Sequence, residues 1–183
     1  MDTTELQQVV LALGYRTQQL SRELSELSGK VEELRNQVSD YKATAQSILE
    51  RVTYENDYRR SSDMLSQARA YLSRAEQCES SAAQLEMQLG SVRDELQSCK
   101  GEYKDYQAEA EANLETLNLT VVKLEPLTRA QYGSDKFIAT LKLTRQKILT
   151  NRELADKCRR NIDWIDQTCG TSGSQPVKKL TLY

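Results

Sequence analysis

At 183 residues, with 38% apolar and 28% charged side chains, a single phenylalanine, two prolines and no histidine, the chain lacks the composition of a thick globular core. No run approaches the roughly 18 to 20 consecutive apolar residues of a bilayer-crossing helix, and no basic segment followed by an apolar stretch opens the sequence. These features argue against a membrane-inserted or secreted protein and lead us to expect an intracellular one, in the cytoplasm or within a larger particle.

Helix formers fill most positions and strand-like alternation is nearly absent before the last residues, so an all-α fold is predicted. Thr4 followed by Gln7 resembles a capping box that starts the first helix. From there a stripe steps by four and three through Leu6, Val10, Leu13, Thr17, Leu20, Leu24, Leu27, Val31, Leu34, Val38, Tyr41, Ala45, Ile48 and Val52. So narrow an apolar seam on so polar a helix cannot bury itself alone and requires another helix alongside. Leucine dominates one series and β-branched residues the other, which in parallel coils favours two strands. Lys30 and Arg35 on its flanks do not strengthen self-pairing, and Glu26 can offset Lys30 within its own helix. Self-association is set somewhat above pairing with a different chain.

The expected architecture is an elongated coiled-coil rod over residues 1–125, in three registers: 6–52, 58–82 and 85–124. Two interruptions predict kinks. The first is the polar, tyrosine-bearing stretch 53–63; the second, over 90–101, contains Gly90 and Gly101, and glycines tolerated on an exposed face are the equal alternative. Tyr54 and Tyr58, among Arg59, Arg60, Glu55 and Asp57, are candidate partner-docking residues, because tyrosine supplies contact area at low entropic cost.

Pro126 is the first unmistakable helix stop, and 126–134 reads as a turn with Ser134 capping the next helix. A basic helix follows over 135–169. Its seam runs Phe137, Leu141, Thr144, Ile148, Asn151, Ala155, Cys158, Ile162, Ile165 and Cys169, broadened by Ile138, Leu149, Leu154 and Trp164 to a width that suits more than one neighbour. Residues 170–183 read as a flexible tail, within which Val177, Leu180 and Leu182 form a candidate strand-like docking peptide.

Charge divides unevenly: −2 over 1–60, −6 over 61–125 and +6 over 126–183. Arg145, Arg152 and Arg159 recur every seven residues, as do Glu95, Glu102 and Glu109, so the two stripes are candidates to pair across helices. Their heptad labels match a parallel contact, whereas a short turn makes the contact antiparallel. Fold-back of the third helix is favoured, with docking on another subunit as the alternative.

The basic helix has no stacking platform or recognised nucleic-acid module beside it, which argues against a nucleic-acid-associated scaffold. Cys78, Cys99, Cys158 and Cys169 lack metal spacing; three lie on seams and read as small buried hydrophobes, with a Cys99–Cys99 cross-link as the sharper alternative. Asn118-Leu-Thr120 matches a glycosylation pattern by chance within a helix. No catalytic constellation, metal set or cofactor cradle emerges. The expectation is therefore a non-enzymatic structural or assembly protein that joins protein partners through coiled coils, or an adaptor subunit of a heteromeric complex.

Overall fold

The computed structural model describes residues 1–129 and 135–170. They form three helices: α1 (Thr3–Val52), α2 (Tyr58–Arg129) and α3 (Asp135–Gly170). The all-α expectation holds. The 170–183 tail beyond Gly170, with Val177, Leu180 and Leu182, lies outside the described residues, as does the Ser134 cap.

Local chemistry sets each helix boundary. Asp2, not Thr4, caps α1: its Oδ1 accepts from the backbone N–H of Thr4 at 2.6 Å and of Glu5 at 3.0 Å, while Glu5 Oε2 accepts from the Asp2 N–H at 3.2 Å. This reciprocal box sits two residues before the one predicted. Those N–H donors hold the Asp2 carboxyl below its ordinary range. At the other end of α1, tight i to i+3 bonds from Thr53, Tyr54 and Glu55 close the last turn. Asp57 then caps α2, accepting from the Arg59 N–H at 2.8 Å.

The chain falls into two compact units. One comprises Arg22–Arg93; the other joins Met1–Ser21 to the residues from Asp94 onward. The first unit is an antiparallel helix pair. Arg35 meets Glu86 at 2.7 Å and Lys42 meets Glu79 at 2.7 Å, so rising numbers on α1 face falling numbers on α2. Leu24, Leu27, Val31, Ala45 and Ile48 of α1 are buried, while Leu34, Val38 and Val52 are half-buried. On α2 the buried stripe is slim, Ala68, Ala75 and Ala82, giving way to Leu89 and Val92. Tyr41 and Tyr71 stack with ring centroids 6.1 Å apart, and the Arg74 guanidinium lies 5.6 Å from the Tyr71 ring.

The expectation of a kink at 53–63 is corrected here. The interruption at 53–63 is a chain reversal confined to 53–57, not a kink, because Asp57 restarts a helix that runs back along the first. The seam of α1 thereby meets α2 of its own chain. No helix stop occurs at the second interruption, since α2 is helical throughout Gly90 and Gly101. A Cβ at either glycine would meet nothing within 4 Å. Gly101→Ala is therefore expected to raise stability by about 0.5–1 kcal/mol through helix propensity, measured as a shift in the denaturant midpoint at unchanged slope.

The other unit is a three-helix bundle. Leu6, Val10, Leu13 and Leu20 of α1, Leu96, Cys99, Tyr103 and Ala110 of α2, and Ile148, Leu154, Ala155, Cys158 and Ile165 of α3 fill its core. Lys100 pairs with Asp166, and Arg145 with Glu125 at 2.8 Å, so α3 runs antiparallel to α2. Fold-back is thus what the structure adopts. Pro126 does not stop α2, which continues to Arg129. Pro126 lacks the N–H that would bond the Val122 carbonyl, so α2 passes through it at the loss of one backbone hydrogen bond, and the Thr128 hydroxyl donates to the Glu125 carbonyl at 2.9 Å.

Candidate functional site

Three regions hold what chemistry the described residues offer: two polar layers in the bundle core, the charged stripes on its surface, and the apolar side chains left uncovered at helix ends.

The first polar layer centres on Asn151 of α3. Its Nδ2 donates to Thr3 Oγ1 at 2.9 Å and to the Lys147 carbonyl at 2.8 Å, while its Oδ1 accepts from Asn113 Nδ2 at 3.3 Å. Asn113 also donates to the Met1 carbonyl at 3.2 Å. One buried amide therefore ties all three helices at a single level, because sliding any helix by a turn leaves buried polar groups unpaired. The sequence carried the signal, since Asn113 and Asn151 are polar residues at seam positions.

The second layer centres on Tyr103, which is fully buried. Its hydroxyl lies 3.2 Å from Thr17 Oγ1, and Thr17 donates onward to the Leu13 carbonyl at 2.8 Å. A Cβ on Gly14 would stand 4.0 Å from that hydroxyl, in ordinary contact. Asn161 is buried with its Nδ2 unpartnered among the described residues. Burial pushes the Tyr103 phenol up to about 12 and the Cys158 thiol up to about 11, and it raises Cys99 as well. These groups are thus held neutral and out of solvent.

The four cysteines are thiols, and Cys99 faces the bundle core of its own chain, which removes the contact a Cys99–Cys99 bridge needs. In native protein at pH 8, iodoacetamide is expected to label Cys78 and Cys169, which are partly exposed. Cys99 and Cys158 should be labelled only after denaturation, as peptide mass spectrometry would register.

The two charge stripes do not pair with each other. Glu102 and Glu95 meet Arg16 of α1 at 3.0 and 3.8 Å, and Glu109 meets the Met1 amine. Arg145 reaches Glu125, Arg159 reaches Asp156 on its own helix at 3.4 Å, and Arg152 is exposed. The reason is geometric: α1 lies along the flank of α2 that carries the glutamates, while α3 takes the other flank. Labels taken from a two-stranded parallel coil do not survive in an antiparallel three-helix bundle.

Tyr54 and Tyr58 lie at the 53–57 reversal, and both are 86% exposed. Towards the end of α2 and the start of α3, Leu119, Val122, Leu127, Phe137, Ile138 and Leu143 each stand exposed. Sequence reading assigned Phe137 to a seam and Ile138 to a broad face, and passed over Leu143. A shallow depression between α1 and α3 is lined by Val10, Leu11 and Leu154, with Glu153, Lys157 and Arg160 around it.

No group of three or more metal-ligating side chains occurs among the described residues, and none of their helices is long and apolar enough to cross a membrane. No family model matches the chain, and neither do the curated proteins or the solved structures with which it was compared.

Proposed function

We propose that this protein is a non-enzymatic assembly component that joins other proteins through exposed helix surfaces. The observation that carries this reading is the exposed apolar group at the adjoining ends of α2 and α3. Large apolar side chains left in water near one end of a bundle favour a binding surface over a purely structural one. The titratable groups inside the bundle, Tyr103, Cys99 and Cys158, are neutral and sealed from any substrate, which favours binding over catalysis.

Between the two forms of this reading, an adaptor that engages a different protein gains over a self-associating rod. The seam that would have driven self-association, Leu6 to Val52, is occupied by α2 of the same chain. Tyr54 and Tyr58, at the other exposed site, are the second point at which a partner would dock.

Cross-linking mass spectrometry of the chain purified with its native partners tests the proposal. Links from foreign peptides to residues near 54–60, 119–127 or 136–147 are the expected result. Intrachain links alone, in a preparation that retains its cellular partners, would overturn it.

A further inference from the structure

The bundle changes from three helices to two at a defined level. Asn151 binds Thr3 in the first turn of α1, and Asn113 binds the Met1 carbonyl, so α1 begins level with these two asparagines. Beyond that level α2 continues to Arg129, and α3 approaches from Asp135. Each helix thus extends a little over four turns, about 24 Å, past the start of α1. The groove that α1 fills lower down continues between them without a third helix among the described residues.

Helical spacing identifies what lines this groove. On α2, Leu117, Leu124 and Leu127 follow Asn113 at four, eleven and fourteen residues, and so share the face that Asn113 turns to α1. On α3, Lys147 lies one turn before Asn151, whose side chain meets both Thr3 of α1 and the Lys147 carbonyl, which places it toward the α1 side. Leu143 is one turn before Lys147 on the same face, while Phe137, six residues earlier, is turned about 120° from Leu143. Leu143 is 58% exposed and Leu127 48%.

The edges of the groove are basic. On α3, Lys147 and Lys136, eleven residues apart, share the face of Leu143, and Lys123 edges the α2 side. The carboxylates of the same stretch are directed elsewhere: Glu125 pairs with Arg145 in the α2–α3 contact, and by helical spacing Glu115 and Asp135 lie away from the groove. A groove with leucines on α2 and with Leu143 beside Lys136 and Lys147 on α3 is complementary to a helix with an apolar stripe and acidic flanks.

We propose that this groove binds an acidic amphipathic helix of another protein, laid along the line that α1 follows lower in the bundle. The inference rests on the assembly reading and specifies its partner. A second copy of the chain would set lysine edges against lysine edges. The chain's own residues 171–183 carry Lys178 and Lys179 and no carboxylate side chain, which is the wrong charge for the site.

The test uses the full chain and two fluorescein-labelled eighteen-residue peptides with the same leucine stripe, one flanked by glutamates and one by lysines. Fluorescence anisotropy near physiological salt is expected to give at least tenfold tighter binding of the glutamate peptide, with the preference shrinking as salt rises. Leu143→Asp should abolish binding. Lys123→Glu, Lys136→Glu and Lys147→Glu together should reverse the preference, and all four sites lie outside the bundle core, so circular dichroism should be unchanged. Equal binding of the two peptides, or no binding at 100 μM, would overturn the proposal. So would a solution dimer that Leu143→Asp dissociates, or binding that appears only when 171–183 is deleted. If the peptides fail while cross-links to foreign proteins persist at other surfaces, the groove assignment falls and the assembly reading stands.

Discussion

Tyr103→Ala is expected to lower stability by about 3–5 kcal/mol, among the largest effects of any single truncation in this chain. Tyr103 is the largest fully buried side chain, in the core where α1, α2 and α3 meet. Removing its ring opens a cavity that the surrounding helices cannot close, because the Asn151 layer fixes their register. Thr17 retains its bond to the Leu13 carbonyl, so Tyr103→Phe loses only one hydroxyl contact and should cost about 1 kcal/mol. Guanidinium titration of both variants measures the difference.

The same site gives stability a dependence on alkaline pH. The Tyr103 phenol is raised from 10.0 to about 12 and the Cys158 thiol from 9.0 to about 11, chiefly by burial. For an acid whose folded-state value is raised, the contribution is complete below the unfolded value and is lost as pH climbs to the folded one. Stability should therefore fall first between pH 9.0 and about 11 through Cys158, and between 10.0 and about 12 through Tyr103. Tyr103→Phe should remove the upper part of this decline and leave the lower part. A decline of unchanged shape would assign it to other groups.

Leu24→Asp is expected to cost more than about 4 kcal/mol, enough to unfold the helix pair formed by Arg22–Arg93. Leu24 is 2% exposed, and an aspartate stem is too short to carry its charge back to water. Leu11→Asp on the same helix is the control: Leu11 is 49% exposed, and its substitution should change stability by less than about 0.5 kcal/mol. Far-ultraviolet circular dichroism across a dilution series distinguishes the observed pairing from a two-chain coil. The Leu24→Asp defect should be the same at every protein concentration, because the partner stripe lies in the same molecule.

That contrast marks what a heptad pattern conveys. The Leu6–Val52 stripe identifies a helix and its buried face, and nine of its apolar members from Leu6 to Ile48 are buried as that pattern requires. It is silent on whose helix covers the stripe, because an antiparallel pair within one chain and a coil between two chains bury the same positions. The reversal at 53–57 was visible as a loss of phase, yet its decisive residue is Asp57, whose side-chain cap restarts a helix in a new direction. Pro126 removes one backbone hydrogen bond, yet α2 continues three residues past it to Arg129, so a single proline was not the stop it suggested. The charge stripes could not be assigned because their pairing depends on which flank α1 takes. Asn113 and Asn151 fix the level at which the three helices meet, and they were legible only as polar residues on an apolar seam. The groove edged by Lys123, Lys136 and Lys147 appears only once the level at which α1 starts is known.

The bond from Asn151 to Thr3 joins residues 148 positions apart in the chain. During synthesis, the opening turns of α1 leave the ribosome long before α3 exists, whereas the two strands of the Arg22–Arg93 hairpin meet as soon as the 53–57 reversal has emerged. The hairpin can therefore close early, and the bundle must wait for nearly the whole polypeptide. Until then Leu6, Val10 and Leu13 stand bare on the nascent chain, the segment a chaperone would hold first.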